Sequence, residues 1–316
     1  MELTDLDRRI VGSLMTQPRA PWRVIADVLG VPERTVARRG AHLLEEGVVE
    51  VVGILARPSP LLVMIRTAPG TTRVTARALA ARDDTSFVFE LTGAADCLAE
   101  LLSTRGSMPE ALSEELPAIV GVRHISSSPI LHYFKTLRDW QPKLITDEEA
   151  GALGVQDRQP HQQFGHYPPL DPRDREIVEA LYRDGRASAE SIARRAGVSE
   201  ATVRRRIATL TSQSILQIRT LVKPALLGLP VEAVLFIKAP PARIESVGRE
   251  LAALPMTRYV AAVAGEYQVV ANVTLASLRD LYDFTITAPW AVDVGDVTTS
   301  LVLRAAKRGG RVLTVN

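Results

Sequence analysis

Two related stretches of the chain decide its fold: "SEATVRRRIATL" at residues 199–210 and "PERTVARRGAHL" at residues 32–43. A shift of 167 positions places residues 3–55 on residues 170–222 without a gap, so the pattern is written twice. Internal repeats decide architecture and are therefore interpreted first. The sequence predicts a tandem duplication, in which equivalent residues of these two segments lie 167 positions apart.

Each repeated segment is typical of three short helices. In the first copy, apolar residues recur at helical spacing from Leu6 to Leu14, and Thr4 predicts the N-cap. Gly30 ends the second helix, and the third begins at Pro32. Two helices joined by a short glycine-containing turn predict a helix-turn-helix domain in each copy. A generic three-helix bundle is the alternative.

A different pattern follows each helical segment. Alternating strand and helix signals over 61–134 and again over 231–304 predict the order βαββαβ, which is the ferredoxin-like arrangement. The predicted fold class is α+β, with tandem winged helix-turn-helix domains that are each followed by a ferredoxin-like domain. The predicted boundaries are 1–53 and 54–140 for the first copy, 141–169 for a linker, and 170–222 and 223–316 for the second copy.

This combination resembles the Lrp/AsnC family of feast/famine transcriptional regulators. The resemblance rests on "LTDLDRRIV", "LDPRDREIV", "TVARRGAHLLEEGVV", "LTGAADCL" and "GVRHISSSPILHYFK". It implies a regulator that binds double-stranded DNA and a small-molecule effector, an amino acid or a related compound, and that forms a homo-oligomer (a dimer or higher). Most members carry one such unit, and this chain carries two. We expect the first ferredoxin-like domain to pack against the second, although the linker is long enough for pairing within one chain or between chains.

The arginines of the two third helices do not form one patch, because each residue turns about 100° around a helix. Arg205 points away from the predicted core, Arg204 lies on a flank and Arg206 lies near the core edge. In the first copy, Arg34 and Arg38 point outward. A reading helix contacts bases in the major groove, where arginine forks onto guanine, while flanking arginines contact phosphate. The predicted DNA-binding residues are Arg34, Thr35, Arg38, Arg39, Thr202, Arg204, Arg205 and Arg206; a solvated surface charge is the alternative for each arginine.

The family resemblance places small-molecule pockets where two ferredoxin-like sheets meet. The turn "TGAAD" at residues 92–96 offers backbone N–H groups to a carboxylate, and Asp96 is expected to bind an α-amino group. In the second copy Gln268 replaces Asp96 and has no charge, so the two halves are expected to differ. The predicted effector-binding residues are Thr92, Gly93, Ala94, Ala95, Asp96, Ser127, Gly265, Gln268 and Thr299; an ordinary hairpin turn is the alternative.

Composition and motifs argue against several other classes. Cys97 is the only cysteine, and no signal peptide or membrane-spanning run is recognisable, so we expect a cytoplasmic protein that does not contact a membrane. No Gly-rich phosphate loop, CxxC, HExxH or GxSxG is present, so we predict no enzyme activity, no cofactor and no metal. Two alternatives stay open: a siroheme-decarboxylase-like enzyme, since those enzymes resemble paired Lrp/AsnC units, and a ligand-binding module without DNA binding. The absence of histidine from residues 223–316 favours the regulator.

Overall fold

The computed structural model describes residues 3–55, 60–102, 107–137, 139–154, 170–292 and 294–313. The chain divides into two compact units that do not follow its order. Unit 1 comprises the described residues of 3–55, 141–154 and 170–227, and unit 2 comprises those of 60–140 and 228–313. Each unit therefore combines equivalent parts of both copies. The mixed helix-and-strand fold class predicted from the sequence is confirmed.

Unit 1 contains two helix-turn-helix domains, a two-stranded sheet and one further helix. The first domain has helices α1 (Asp5–Thr16), α2 (Trp22–Leu29) and α3 (Glu33–Glu45), followed by strand β1 (Val49–Leu55). The second domain has α7 (Pro172–Arg183), α8 (Ala189–Ala196) and α9 (Glu200–Ser212), followed by β6 (Leu216–Val222) and a 3-10 turn at Pro224–Leu227. Thr4 caps α1 in a capping box with Asp7, and Gly30 ends α2 in the left-handed conformation, as the sequence predicts.

The two strands of unit 1 are exchanged between the helix-turn-helix domains. β1 and β6 pair antiparallel, with Gly53 opposite Ile218. Gly53 lies against α7, where a Cβ would come within 2.9 Å of Leu181 Cβ, so only glycine allows this approach. In the equivalent contact, Thr220 Oγ1 donates to the Leu14 carbonyl at 2.6 Å. The strand that follows each domain thus packs on the other domain.

Trp22 explains the unusual Gly40 in the middle of α3. A Cβ on Gly40 would lie 2.4 Å from the Trp22 ring, so the indole occupies the space that a branched side chain would need. The equivalent pair in the second copy is Ala189 and Ile207, a small residue on the second helix and a large one on the third. The two copies thus fill the same space from opposite sides.

The segment predicted as a linker is partly packed into unit 1. Helix α6 (Asp147–Ala152) begins with a capping box between Thr146 and Glu149. Glu149 forms an ion pair with Arg9 of α1, and Leu144 packs against Gly12. Residues 155–169, the rest of the predicted linker, lie outside the described residues.

Unit 2 holds both βαββαβ domains. The first has β2 (Pro60–Thr67), α4 (Thr72–Ala81), β3 (Thr85–Leu91), β4 (Cys97–Leu102), α5 (Met108–Glu110), which continues as a π-helical turn (Ala111–Glu115), and β5 (Val122–Lys135). The second has β7 (Val231–Lys238), a 3-10 turn (Pro241–Arg243), α10 (Ile244–Ala253), β8 (Thr257–Val263), β9 (Val269–Leu275), α11 (Leu278–Ile286), a 3-10 turn (Pro289–Ala291), β10 (Asp296–Arg308) and β11 (Arg311–Val312).

The strands of unit 2 close into a ring. The order is β10-β3-β4-β2-β5-β8-β9-β7, and β7 pairs with β10 again, while β11 extends from β10. The first part of β5 pairs with β2 of its own copy and the second part with β8 of the other copy. β10 does the same with β7 and β3. Each last strand therefore crosses between copies, and the two ferredoxin-like domains pair within one chain.

The crossing strands also cap helices of the opposite copy. Lys135 Nζ, at the end of β5, donates to the carbonyls of Ala252 and Leu254 at the end of α10, at 2.8 and 3.0 Å. Burial lowers the pKa of Lys135 to about 8. Lys307, at the end of β10, donates to the Arg82 carbonyl beyond α4 in the equivalent way. A cation at a helix C-terminus is favourable because the last carbonyls have no helical partner.

Candidate DNA-reading and effector sites

The outward face of α3 carries arginines without acidic partners. The inward face is buried through Val36, Gly40 and Leu43. Arg34 and Arg38 are exposed, and the part of the chain that the structure describes supplies neither with an ion pair. Two exposed guanidinium groups in the N-terminal half of a helix-turn-helix third helix are candidates for contacts in the major groove.

Helix α9 presents a related but different outward face. Arg205 is exposed and has no ion pair among the described residues. Arg204 is bound by Glu200 one turn earlier, at 2.6 Å. Ser199 caps the helix by accepting from the Thr202 amide, and its hydroxyl also contacts Thr202 Oγ1 at 2.9 Å. Thr202 is thus half-buried in the cap, and Thr35 is half-buried at the same place on α3.

Arg39 and Arg206 bind their own domains. Arg39 donates from Nε to Asp7 Oδ1 and from Nη2 to Asp7 Oδ2, both at 2.8 Å. These bonds hold the pKa of Asp7 at about 2, below its ordinary 3.8. Arg206 binds Asp171 and Asp174 at 2.6 and 2.7 Å. Both guanidinium groups, predicted as DNA contacts, therefore lie in ion pairs that fasten the third helix to the first.

A reciprocal pair of arginines joins the two helix-turn-helix domains. Arg19 donates to the carbonyls of Gly185 and Ala187, while Arg186 donates to those of Pro18 and Ala20 at 2.7 and 2.9 Å. The Arg186 guanidinium also stacks 4.3 Å above the Trp22 ring. Burial lowers the pKa of both arginines. The exchange relates residues 167 positions apart, so the two domains are arranged around an approximate twofold axis. The sequence shows the two arginines as equivalent but not as partners.

The first effector turn meets the last strand of the second copy. Gly93 has φ of 79°, which favours glycine. Thr92 N donates to the Leu301 carbonyl at 3.0 Å, and Ala94 N donates to Ser300 Oγ at 3.3 Å. Ala95 is buried beside the turn. Three amides that the sequence offers to a ligand, those of Thr92, Ala94 and Asp96, are thus already bound within the protein.

Asp96 and Gln268 perform the same structural task. Asp96 Oδ2 accepts from the Thr67 amide at 2.7 Å, at the end of β2. Gln268 Oε1 accepts from the Ala239 amide at 3.1 Å, just after β7. The Gln268 amide nitrogen donates to the Gly265 carbonyl at 3.0 Å. Each side chain caps a strand, and only that of Asp96 does so with a charge.

Each effector turn is completed by the other copy. The Thr299 carbonyl lies 3.9 Å from the position of a Cβ on Gly93. At the second turn, a Cβ on Gly265 would lie 2.8 Å from Ser128 Oγ, and Ser127 is the exposed neighbour of Ser128 on β5. Thr299 therefore stands beside the first turn and Ser127 beside the second. The sequence alone does not reveal this exchange, because the crossing of β5 and β10 leaves no local signal.

Sequence reasoning missed two polar clusters inside the closed sheet. Glu100 Oε1 accepts from the hydroxyls of Tyr133 and Tyr259, at 2.8 and 3.0 Å. Burial and Glu100 raise the pKa of Tyr259 well above its ordinary value. Asn272 stands where the second copy would repeat Glu100, and there Glu232 is bound by Arg258 and Arg308. The neighbouring arginines lower the pKa of Glu232 despite its burial.

Comparison with known proteins identifies both kinds of domain. The AsnC-type helix-turn-helix domain matches residues 3–44 and 170–211, and the Lrp/AsnC ligand binding domain matches residues 232–312. An uncharacterised HTH-type transcriptional regulator of Pyrococcus abyssi is 32% identical over 142 residues, which cover 45% of this chain and 90% of the relative. The HTH-type transcriptional regulator Ptr1 of Methanocaldococcus jannaschii is 30% identical over 145 residues, 45% of this chain and 98% of the relative.

A solved structure corrects the prediction that the chain is not an enzyme. The siroheme decarboxylase NirDL superimposes with a TM-score of 0.62 at 16% identity, over 98% of this chain and 94% of NirDL. An enzyme therefore has this architecture. The prediction of no enzyme activity, which was based on the absence of four catalytic motifs, was wrong. The physical reason is that one fold supports unrelated chemistries, while the excluded motifs belong to other folds. Among the described residues, no helix is both long and apolar enough to cross a bilayer.

Proposed function

Because the chain belongs to the Lrp/AsnC family of transcriptional regulators, we propose that it reads double-stranded DNA with α3 and α9 and that an amino acid at the effector turns alters this binding. The observation that carries the proposal is that the guanidinium groups of Arg34, Arg38 and Arg205 are exposed on those helices and form no ion pair with any described residue. The reciprocal Arg19–Arg186 contacts support joint presentation of both helices by one chain.

The DNA part is tested by mobility shift on the region upstream of the protein's own coding sequence. Arg38→Ala and Arg205→Ala should each weaken specific binding by about 1–3 kcal/mol if the guanidinium forks onto a base. Arg204→Ala should weaken all duplexes alike and flatten the salt dependence. Arg279→Ala is the control, since it removes another exposed arginine, one that lies in unit 2. Unchanged affinity in both Arg38→Ala and Arg205→Ala would remove these helices as readers.

The effector part depends on the charge difference between the two turns. Asp96→Asn keeps an acceptor for the Thr67 amide, as Gln268 provides for Ala239, and it removes the charge that an α-amino group would bind. We expect the variant to fold, to bind DNA without effector as wild type does, and to lose most amino-acid affinity in calorimetry. Gln268→Glu is the reciprocal variant and should strengthen the second site. Equal amino-acid affinity in Asp96→Asn and wild type would contradict the role of Asp96.

Assembly beyond one chain is a further part of the proposal. Membership of this family implies an oligomer, and we expect two or more chains to associate. Light scattering that finds only a 34.4 kDa species would contradict this.

A second candidate function is decarboxylation of siroheme. It is favoured by the fold shared with NirDL over nearly the whole chain. Mixing the protein with siroheme distinguishes the candidates, since an enzyme would shift the tetrapyrrole absorption spectrum on binding and release carbon dioxide. A spectrum unchanged at a stoichiometric protein concentration would remove this candidate.

A further inference from the structure

The two reading helices differ at matched outward positions. Position 34 carries arginine in α3, and its equivalent 201 carries alanine in α9. Both residues are exposed, and both lie in the first turn of their helices. Thr35 and Arg38, by contrast, are repeated as Thr202 and Arg205. One difference thus lies at the helix N-terminus, where third helices of this motif contact bases.

We propose that one chain reads an asymmetric operator, whose two half-sites differ at the base pair that faces Arg34 in one and Ala201 in the other. The inference rests on the proposed DNA reading. Arginine forks onto O6 and N7 of guanine, whereas an alanine methyl contacts only a thymine methyl. The half-site under α3 therefore contains a guanine at that position, and the half-site under α9 does not require one.

The charges of the two helices bear on whether their difference affects base recognition or attraction to the phosphate backbone. In their N-terminal halves, both helices carry one carboxylate and two exposed guanidinium groups: Glu33, Arg34 and Arg38 in α3, and Glu200, Arg204 and Arg205 in α9. The net charge of these halves is therefore the same. The two helices differ in the position of one arginine. In α3 it is residue 34, whereas in α9 it is residue 204, which is equivalent to Ala37. Three residues correspond to about 4.5 Å along a helix, more than the roughly 3.4 Å rise of one base pair.

Local contacts strengthen the contrast. Arg204 is held by Glu200 at 2.6 Å, which keeps its guanidinium on the flank of α9. Arg34 has no ion pair among the described residues and remains available. The reciprocal contacts of Arg19 and Arg186 join the two domains in one chain. A single chain thus presents two unequal readers, where a symmetric dimer of one-unit chains would present two equal ones.

In vitro selection from duplexes with a randomised core of about 25 base pairs tests this, since two half-sites lie about one helical turn or a multiple apart. Wild type should enrich a non-palindromic site. Arg34→Ala should relax the guanine in one half-site, lowering its preference about tenfold to a hundredfold. Ala201→Arg should instead select a guanine at the same position of the other half-site, so that the enriched operator becomes palindromic there. Arg204→Ala is the control, which should enrich the wild-type sequence more weakly. Because all three positions are exposed, misfolding is not expected, and circular dichroism checks it.

The outcomes separate this inference from the proposed function. A palindromic site enriched by wild type, or an unchanged asymmetric site in both Arg34→Ala and Ala201→Arg, overturns the inference while DNA reading stands. Failure of wild type to enrich any sequence overturns DNA reading and the inference with it.

Discussion

Thr4, Asp7 and Arg39 of the first copy form the same cluster as Asp171, Asp174 and Arg206 of the second, whereas the space beneath the two reading helices is filled differently. In the first copy Trp22 fills the space above Gly40, and in the second the equivalent residues, Ala189 and Ile207, both pack against the core of their domain. The contacts that orient the third helix are the same in both copies. In the packing pairs, by contrast, the large residue lies on the second helix in one copy and on the third helix in the other.

The same division holds in unit 2. The crossing lysines, Lys135 and Lys307, cap helices of the opposite copy in both halves. Residues of the glycine turns and of the sheet interior have diverged: Asp96 corresponds to Gln268, and Glu100 to Asn272. A symmetric dimer of identical chains cannot make such changes on one side alone. Fusion of two units in one chain therefore allows asymmetry at the sites while the scaffold stays paired.

The largest expected effect comes from making the two packing pairs alike. Gly40→Ile should destabilise unit 1 by at least about 3 kcal/mol, because its Cβ alone would lie 2.4 Å from the Trp22 ring. Adding Trp22→Ala reproduces the Ala189 and Ile207 pair and should restore most of that loss. Urea unfolding of the two single variants and the double variant measures the coupling. Additive effects would show that the two positions do not share one space.

A smaller effect is expected from the Asp7–Arg39 ion pair, which should contribute about 2 kcal/mol to the free energy of unfolding at pH 7. The folded-state pKa of about 2 lies below the ordinary 3.8, so the carboxylate stabilises the fold above pH 4. That contribution is lost as the pH falls through the folded-state pKa. Asp7→Asn should therefore lower the free energy of unfolding at pH 7 and bring it close to that of wild type near pH 2. An equal deficit at both pH values would contradict the ion pair as its source.

The smallest effect is expected at Cys97, whose equivalent is Val269. Both side chains are completely buried in their sheets. Burial raises the pKa of the thiol to about 12, so almost no thiolate exists at pH 8. The native protein should resist alkylation by iodoacetamide and react fully in denaturant, and Cys97→Val should change stability by less than about 1.5 kcal/mol. Rapid alkylation of native protein would show that β4 is open to solvent.

The features that could be predicted from the sequence are those that depend on local patterns. Helical spacing, the Thr4 cap and the Gly30 and Gly197 stops suffice to place the helices, because these signals depend on near neighbours. The Gly40 anomaly is visible in the sequence, but its cause, Trp22, becomes apparent only when α2 and α3 pack. The pairing of each effector turn with the opposite copy depends on where β5 and β10 cross, which no local pattern encodes.

Pairing of the two copies within one chain is the central claim, and one disulfide measures it most directly. Glu50 and Leu221 are directly opposite in the β1–β6 pair, where Cα atoms of neighbouring antiparallel strands lie about 4.5–5.5 Å apart. Glu50→Cys with Leu221→Cys should oxidise to a bond within one chain, and Cys97 is too deeply buried to compete. We expect a non-reduced species of 34.4 kDa that migrates faster than its reduced form. Disulfide-linked dimers as the main product would contradict it, because the strands would then pair between chains.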